Sequence, residues 1–256
     1  ENWQGEVAFE DVSFRYQGAD EDAICHISFQ AKPGQTTAII GSTGCGKSTV
    51  LNLIPRFYDV TAGRITMDGV DIRQMSQRKL RELIGYVPQK GVLFSGTIAS
   101  NICFSGNVSE AQMEEAAEIA QAQDFILEKD EQFDSEISQG GTNVSGGQKQ
   151  RLSIARAIAK NPKVYLFDDS FSALDYKTDV ALRKALGKKT REASVIIVAQ
   201  RISTILHADQ IIVLEEGEVA GIGTHQELMK NCETYREIAG SQLSEQELKN
   251  QGGVGA

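Results

Sequence analysis

The sequence predicts an α/β fold with a mostly parallel sheet, an antiparallel β subdomain at its start and an α-helical subdomain inserted midway. Three observations predict it. Short apolar runs alternate with helical stretches, the pattern of parallel strands covered on both faces. Ahead of them, Val7, Phe9, Val12 and Phe14 lie among polar residues, as in half-buried antiparallel strands. From Thr97 to Lys160 the texture is mostly helical and interrupts the strand pattern.

In chain order, QGADED at 17–22 reads as the turn between the first strands. Thr36 to Ile40 is an apolar run ending at Gly41 and reads as a buried strand, with a helix following over Ser48 to Tyr58. RITMDG at 64–69 is a strand and turn, and Ile84 to Val87 is a short strand stopped by Pro88. The stretch 110–129 has helical spacing with Ser109 as its N-cap, and a second helix is predicted over Ser145 to Ala159. Strands return at Val164 to Phe167, Val195 to Ala199 and Ile211 to Leu214, with helices at 175–190 and 203–207 between them. The expected organisation is one domain over 1–240, with a core of 1–89 and 161–240, a helical subdomain over 90–160, and a polar, frayed tail at 241–256.

At 256 residues the chain can bury a substantial core. Hydrophobic residues at 41% and charged residues at 24% exclude long disorder, collagen and disulfide scaffolds. The 26 Lys and Arg against 35 Asp and Glu leave a net charge of −9, opposite to a nucleic-acid footprint, so no nucleic-acid partner and good solubility are expected. No apolar run approaches the roughly 18 residues of a membrane span. The start, ENWQGEVAF, has no basic segment followed by an apolar one, so no signal peptide is expected; it also lacks an initiator Met, as an excised, tagged or processed chain would. Cys25, Cys45, Cys103 and Cys232 form no CxxC pair and no metal pattern with His26, His207 and His225, which points to free thiols and to surface or capping histidines.

The most specific local signal is Gly41-Ser42-Thr43-Gly44-Cys45-Gly46-Lys47-Ser48-Thr49, which matches G-x-x-x-x-G-K-[ST]. Glycines let the backbone curl so that successive N–H groups point at phosphate oxygens, and the helix that follows adds its positive end. Lys47 is a point charge for β- and γ-phosphates, and the Ser48 hydroxyl is a hard oxygen ligand suited to Mg²⁺. Cys45 reads as a tolerated small residue. Such a loop needs an acidic partner for the metal. Asp168 supplies one, closing Val164-Tyr165-Leu166-Phe167 at the strand's carboxyl end, where ligands of open α/β sheets bind.

Between those motifs stands NVSGGQKQR at 143–151. Together the three resemble the nucleotide-binding domain of ATP-binding cassette (ABC) transporters, a P-loop NTPase fold, over about residues 7–240. LFSGTIASNI at 93–102 and GTHQEL at 223–228 resemble exporter-type cassettes in particular. The resemblance implies ATP and Mg²⁺ as ligands. It implies that Tyr16 stacks on adenine and that Gln89, in YVPQK, reaches Mg²⁺ and the attacking water. It implies that Ser172-Ala173-Leu174-Asp175 crosses a dimer interface. Ser145-Gly146-Gly147-Gln148 opens a helix with bare N–H groups aimed at an anion; in the family this tip grips the γ-phosphate bound to the other subunit, so two chains sandwich two ATP molecules. Val144 stands where the family usually has Leu.

Two positions depart from the family. Asp169 replaces the usual Glu that polarises the attacking water, and its carboxylate is withdrawn by about 1 Å. Gln200, in VIIVAQRIST, replaces the switch histidine; it can donate a hydrogen bond but cannot become cationic. The pairing, beside an intact SGGQ, resembles the weakly hydrolytic half of a heterodimeric exporter at the cytoplasmic face of a membrane. It implies a non-identical second nucleotide-binding domain and transmembrane domains absent from this chain. A homodimeric exporter, an engineered inactive mutant, a nucleotide-sensing module and a soluble ABC ATPase stay open beside it; against the last, this chain has no long coiled coil between Lys47 and Asp168, where DNA-repair members carry one.

Overall fold

The computed structural model describes residues 2–243. Its elements are β1 (Val7–Phe14), β2 (Ile24–Ala31), β3 (Thr36–Gly41), α1 (Lys47–Leu53), β4 (Ala62–Met67), β5 (Val70–Asp71), α2 (Gln77–Glu82) and β6 (Ile84–Val87). There follow β7 (Gly96–Thr97), α3 (Ile98–Ile102), α4 (Glu110–Ile119), α5 (Gln123–Leu127), β8 (Glu136–Ile137), α6 (Gly146–Ala159), β9 (Val164–Asp168) and α7 (Tyr176–Lys189). The chain continues through β10 (Ser194–Val198), α8 (Ile202–Ile205), β11 (Gln210–Glu215), β12 (Glu218–Gly223), α9 (His225–Asn231) and α10 (Glu233–Gln242). These group into two compact units, one joining residues up to Arg81 with those from Ser194 onward, the other running from Glu82 to Ala193.

The first unit holds an antiparallel sheet in the order β2-β1-β4-β5. Its apolar positions step by two, then three, then two, from Val7 to Phe9, Val12 and Phe14. The odd step is a bulge: Asp11 has φ of 50° and the β1–β2 register shifts between Phe9 and Val12. The extra residue restores Val12 and Phe14 to the buried face. The unit's second set of strands runs β12-β11-β3-β10, with β3 parallel to both neighbours and β11 antiparallel to β12. β3 is buried along Thr37–Ile40 and β10 throughout, which explains their unbroken apolar sequences.

In the second unit β6 and β9 pair in parallel, and α3 and α4 pack on α6. Ser109 caps α4 through a reciprocal pair of bonds with Gln112. Two helices are shorter than the sequence suggests. The helix expected over Ser48–Tyr58 ends at Leu53, because Pro55 cannot continue it. The one expected over 110–129 divides into α4 and α5, with Gln121 at φ of 60° between them. His225, expected at the surface or as a cap, is buried and shares a 2.6 Å hydrogen bond with Tyr235. Most of the expected tail, residues 244–256, lies outside the described residues.

The described elements match the expected α/β fold: parallel strands, an antiparallel sheet at the start and a helical stretch in the middle of the chain.

Candidate functional site

The glycine loop leaves the carboxyl end of β3 and enters α1. Packing demands its first and last glycines. A Cβ on Gly41 would stand 2.3 Å from Leu214 O and 2.5 Å from Cys45 Sγ, and one on Gly46 would stand 2.8 Å from Ile24 Cγ2. Gly44 and Gly46 also have φ of 79° and 100°, which L side chains rarely adopt. Ser42, Thr43, Gly44 and Ser48 are exposed, whereas Cys45, Lys47 and Thr49 are buried. Gly41→Ala should therefore destabilise the fold by about 1–3 kcal/mol, since a backbone carbonyl cannot swing aside; denaturant unfolding measures it, with Gly187→Ala, which meets no neighbour within 4 Å, as the control.

Lys47 Nζ donates to Gly41 O at 2.6 Å and to Ser42 O at 3.3 Å, so the ammonium lies folded onto its own loop. Phosphate oxygens are stronger partners for an ammonium than neutral carbonyls are. Tyr16 and Thr49 share a 2.7 Å hydrogen bond between their hydroxyls, which fixes the Tyr16 ring beside α1. The ring also meets Phe14 and Tyr58 edge-on, at 4.8 and 5.3 Å, so a half-buried aromatic surface stands next to the loop. Gln200 follows β10. Because Val198 pairs with Ile39 and Ala199 N–H donates to Ile39 O, Gln200 leaves the sheet at the edge from which the loop springs, and it is exposed.

The second unit gathers the other predicted residues. Val87 pairs with Phe167, so β6 and β9 end together and deliver Gln89 and Asp169 to one edge. Gln89 Nε2 donates to Asp169 Oδ2 at 3.3 Å. Asp168 ends β9 half-buried, and Asp169 has φ of 48°, a turn conformation that Asp tolerates better than most residues. Tyr86 was not singled out in the sequence; burial and the charge of Asp168 push its phenol up to about 12, so it stays neutral at physiological pH. Ser172 Oγ donates back to Asp169 O at 2.9 Å. Asp175 caps α7, accepting from Thr178 N–H and hydroxyl, and those bonds hold its carboxyl below the usual carboxylate range. Ala173 is exposed and Leu174 is buried.

Ser145 is the N-cap of α6. Its Oγ accepts from Gln148 N–H at 3.1 Å, while Gln148 Oε1 accepts from Ser145 N–H at 3.2 Å. Gln148 thus turns its side chain onto the cap, and Ser145 and Gly146 are exposed. A Cβ on Gly146 would meet nothing within 4 Å, and one on Gly147 would lie 3.7 Å from Ala173 O, so the helix tip is open and adjoins the 172–175 turn. The brackets that hold Gln89 have no signature in the sequence. Gln150, almost fully buried in α6, donates to Pro88 O at 3.0 Å, Ser170 Oγ donates to Val87 O at 2.7 Å, and Arg156 donates to Val92 O at 2.8 Å. Beyond them, exposed Val92, Phe94 and Phe104 form an apolar patch; the two rings stack 4.8 Å apart with the Arg156 guanidinium over both.

Known proteins resemble the chain over nearly its whole length. The family described as ABC transporter matches residues 24–172. An uncharacterized ABC transporter ATP-binding protein of Mycobacterium tuberculosis is 46% identical over 242 residues, covering 93% of this chain and 41% of that one. The ATP-dependent lipid A-core flippase of Vibrio vulnificus is 40% identical over 247 residues, covering 96% and 42%. A solved bacterial Atm1-family ABC exporter with ATP bound superposes with a TM-score of 0.90 at 38% identity, over 94% of this chain and 42% of that one. The chain spans about two fifths of the length of these relatives.

Proposed function

The chain belongs to the ABC transporter family and has its ATPase fold, and from that premise we propose that it is the ATP-binding motor domain of a heterodimeric exporter, the half whose own site hydrolyses weakly. In this reading Tyr16 stacks on adenine, the N–H groups of Gly41 to Thr49 cradle the phosphates, and Lys47 serves the β- and γ-phosphates. The oxygens of Ser48, Asp168 and Gln89 fit Mg²⁺, a hard cation that shares its shell with phosphates. Held by those oxygens, Mg²⁺ would supply neutralisation of the phosphate charge. Asp169 polarises the attacking water from a carboxylate that stands short, Gln89 holds that carboxylate, and Gln200 donates to the γ-phosphate without relaying a proton.

The observation that carries the heterodimer reading is the contrast within one chain: the Ser145 tip is capped and open, while the water-side positions hold Asp169 and Gln200. An intact tip completes a partner's site even where the home site is slow. Ser172 to Asp175 lie across that interface. The relatives' greater length supports transmembrane domains beyond this chain, and the Val92–Phe94–Phe104 patch suits their docking at the cytoplasmic face. No helix among the described residues is long and apolar enough to cross a membrane. The test is ATP turnover by this chain alone and with a partner domain carrying Glu and His at the two altered positions. Turnover is expected from the pair only; fast turnover by this chain alone would overturn the reading.

A further inference from the structure

The switch position is tied to the last described helix. Helix α8 begins with Arg201 as N-cap, which makes no side-chain cap bond. The cap comes from elsewhere in the chain: Gln242, the final residue of α10, accepts from Ile202 N–H with Oε1 at 2.8 Å and donates to Gln200 O with Nε2 at 2.7 Å. One carboxamide thereby satisfies backbone groups on both sides of Arg201 and restrains the peptide units that orient the Gln200 side chain. Helix α10 is itself held. Tyr235 is fully buried and bonded to His225 of α9, and α10 packs on α8 and β11. The anchor is therefore a packed helix.

We propose that Gln242 is a positioning residue for Gln200: it sets the backbone of residues 200–202 so that the Gln200 side chain can reach a γ-phosphate, and so makes discrimination between nucleoside tri- and diphosphates depend on α10. This rests on the reading that Gln200 contacts the γ-phosphate. ADP, lacking that phosphate, makes no use of the restraint, so its affinity should be indifferent to it.

The experiment compares ATP and ADP affinities, by calorimetry with Mg²⁺ present, for the full chain and three variants. Gln242→Met keeps length and loses both bonds; Gln242→Glu keeps the acceptor for Ile202 N–H; Gln200→Ala removes the switch side chain. Gln242→Met is expected to weaken ATP binding about 3- to 10-fold and leave ADP binding unchanged, the worth of one or two hydrogen bonds, with Gln242→Glu intermediate. Amide exchange at Ile202 should accelerate in Gln242→Met without nucleotide. If Gln200→Ala lowers the preference for ATP and Gln242→Met does not, the positioning role is wrong while the switch assignment survives. If Gln200→Ala leaves the preference intact, the switch assignment falls first. Equal losses for ATP and ADP, or unchanged exchange at Ile202, would reduce Gln242 to a structural contact and overturn the proposal. Should Gln242→Met fold poorly, the same comparison is read from Gln242→Glu.

Discussion

The double variant Asp169→Glu, Gln200→His is expected to raise ATP turnover by this chain about 100-fold. Two copies of the chain already contain every other part: the glycine loop with Lys47, Asp168, and the open tip at Ser145. In the proposed reading the missing increment is position. A carboxylate about 1 Å short of a water is misplaced on the scale that costs roughly 100-fold, or about 2.7 kcal/mol of barrier. Gln89 Nε2, 3.3 Å from Asp169 Oδ2, holds the shorter side chain back at the edge of β6 and β9. Glu adds one methylene in the same direction, and His at 200 restores a group that can donate and carry charge near neutral pH. The φ of 48° at position 169 suits Asp better than Glu, so Asp169→Glu should lose some stability. Turnover is therefore measured with the unfolding midpoint; a rise in rate beside a fall in midpoint is the expected result. A turnover unchanged in the double variant, with nucleotide still bound, would remove both residues from the water-side role.

Much of this was legible in the sequence because it is local. The loop 41–49 carries its conformation in its glycines, and Asp168 follows a strand apolar enough to be buried on both faces. Ser145 with Gln148, and Ser109 with Gln112, are capping boxes whose partners are three residues apart. Even the bulge in β1 was written in the three-residue step from Phe9 to Val12, though the sequence alone read it as plain alternation.

What stayed hidden are contacts whose partners lie far apart in the chain. Gln150 bonds Pro88 O across 62 residues and Gln242 bonds Gln200 O across 42, and a glutamine on a helix looks the same whether it faces water or a carbonyl. The hydroxyl bond between Tyr16 and Thr49 joins the turn after β1 to α1 across 33 residues, which no spacing reports. The β7–β8 pairing has two residues per strand, too few for a periodic signal. The overlong helices fail for local reasons: Pro55 stops the one expected over Ser48–Tyr58, and Gln121, at φ of 60°, breaks the one expected over 110–129.

Replacing Ser145 with Asp is expected to abolish turnover by the mixed pair, at least on the order of 100-fold, while leaving this chain as stable as before. The two effects separate because Ser145 is an observed cap and a proposed tip. As N-cap it accepts from Gln148 N–H, and Asp is at least as good a cap and adds favourable charge at a helix N-terminus. As the exposed tip it is proposed to present a hydroxyl and N–H groups to the partner's γ-phosphate; a carboxylate there meets like charge, worth about 4 kcal/mol at 4 Å in a partly screened site. A cap-only residue would therefore leave turnover intact in Ser145→Asp and lose about 1 kcal/mol of stability in Ser145→Ala. A residue that is both cap and tip shows the same loss in Ser145→Ala and the same unmoved midpoint in Ser145→Asp, but loses turnover in Ser145→Asp. The same substitution in the partner should matter far less, because that tip would complete only the site that Asp169 and Gln200 already slow. Equal damage from either chain would mean that both sites turn over and that the asymmetry is absent.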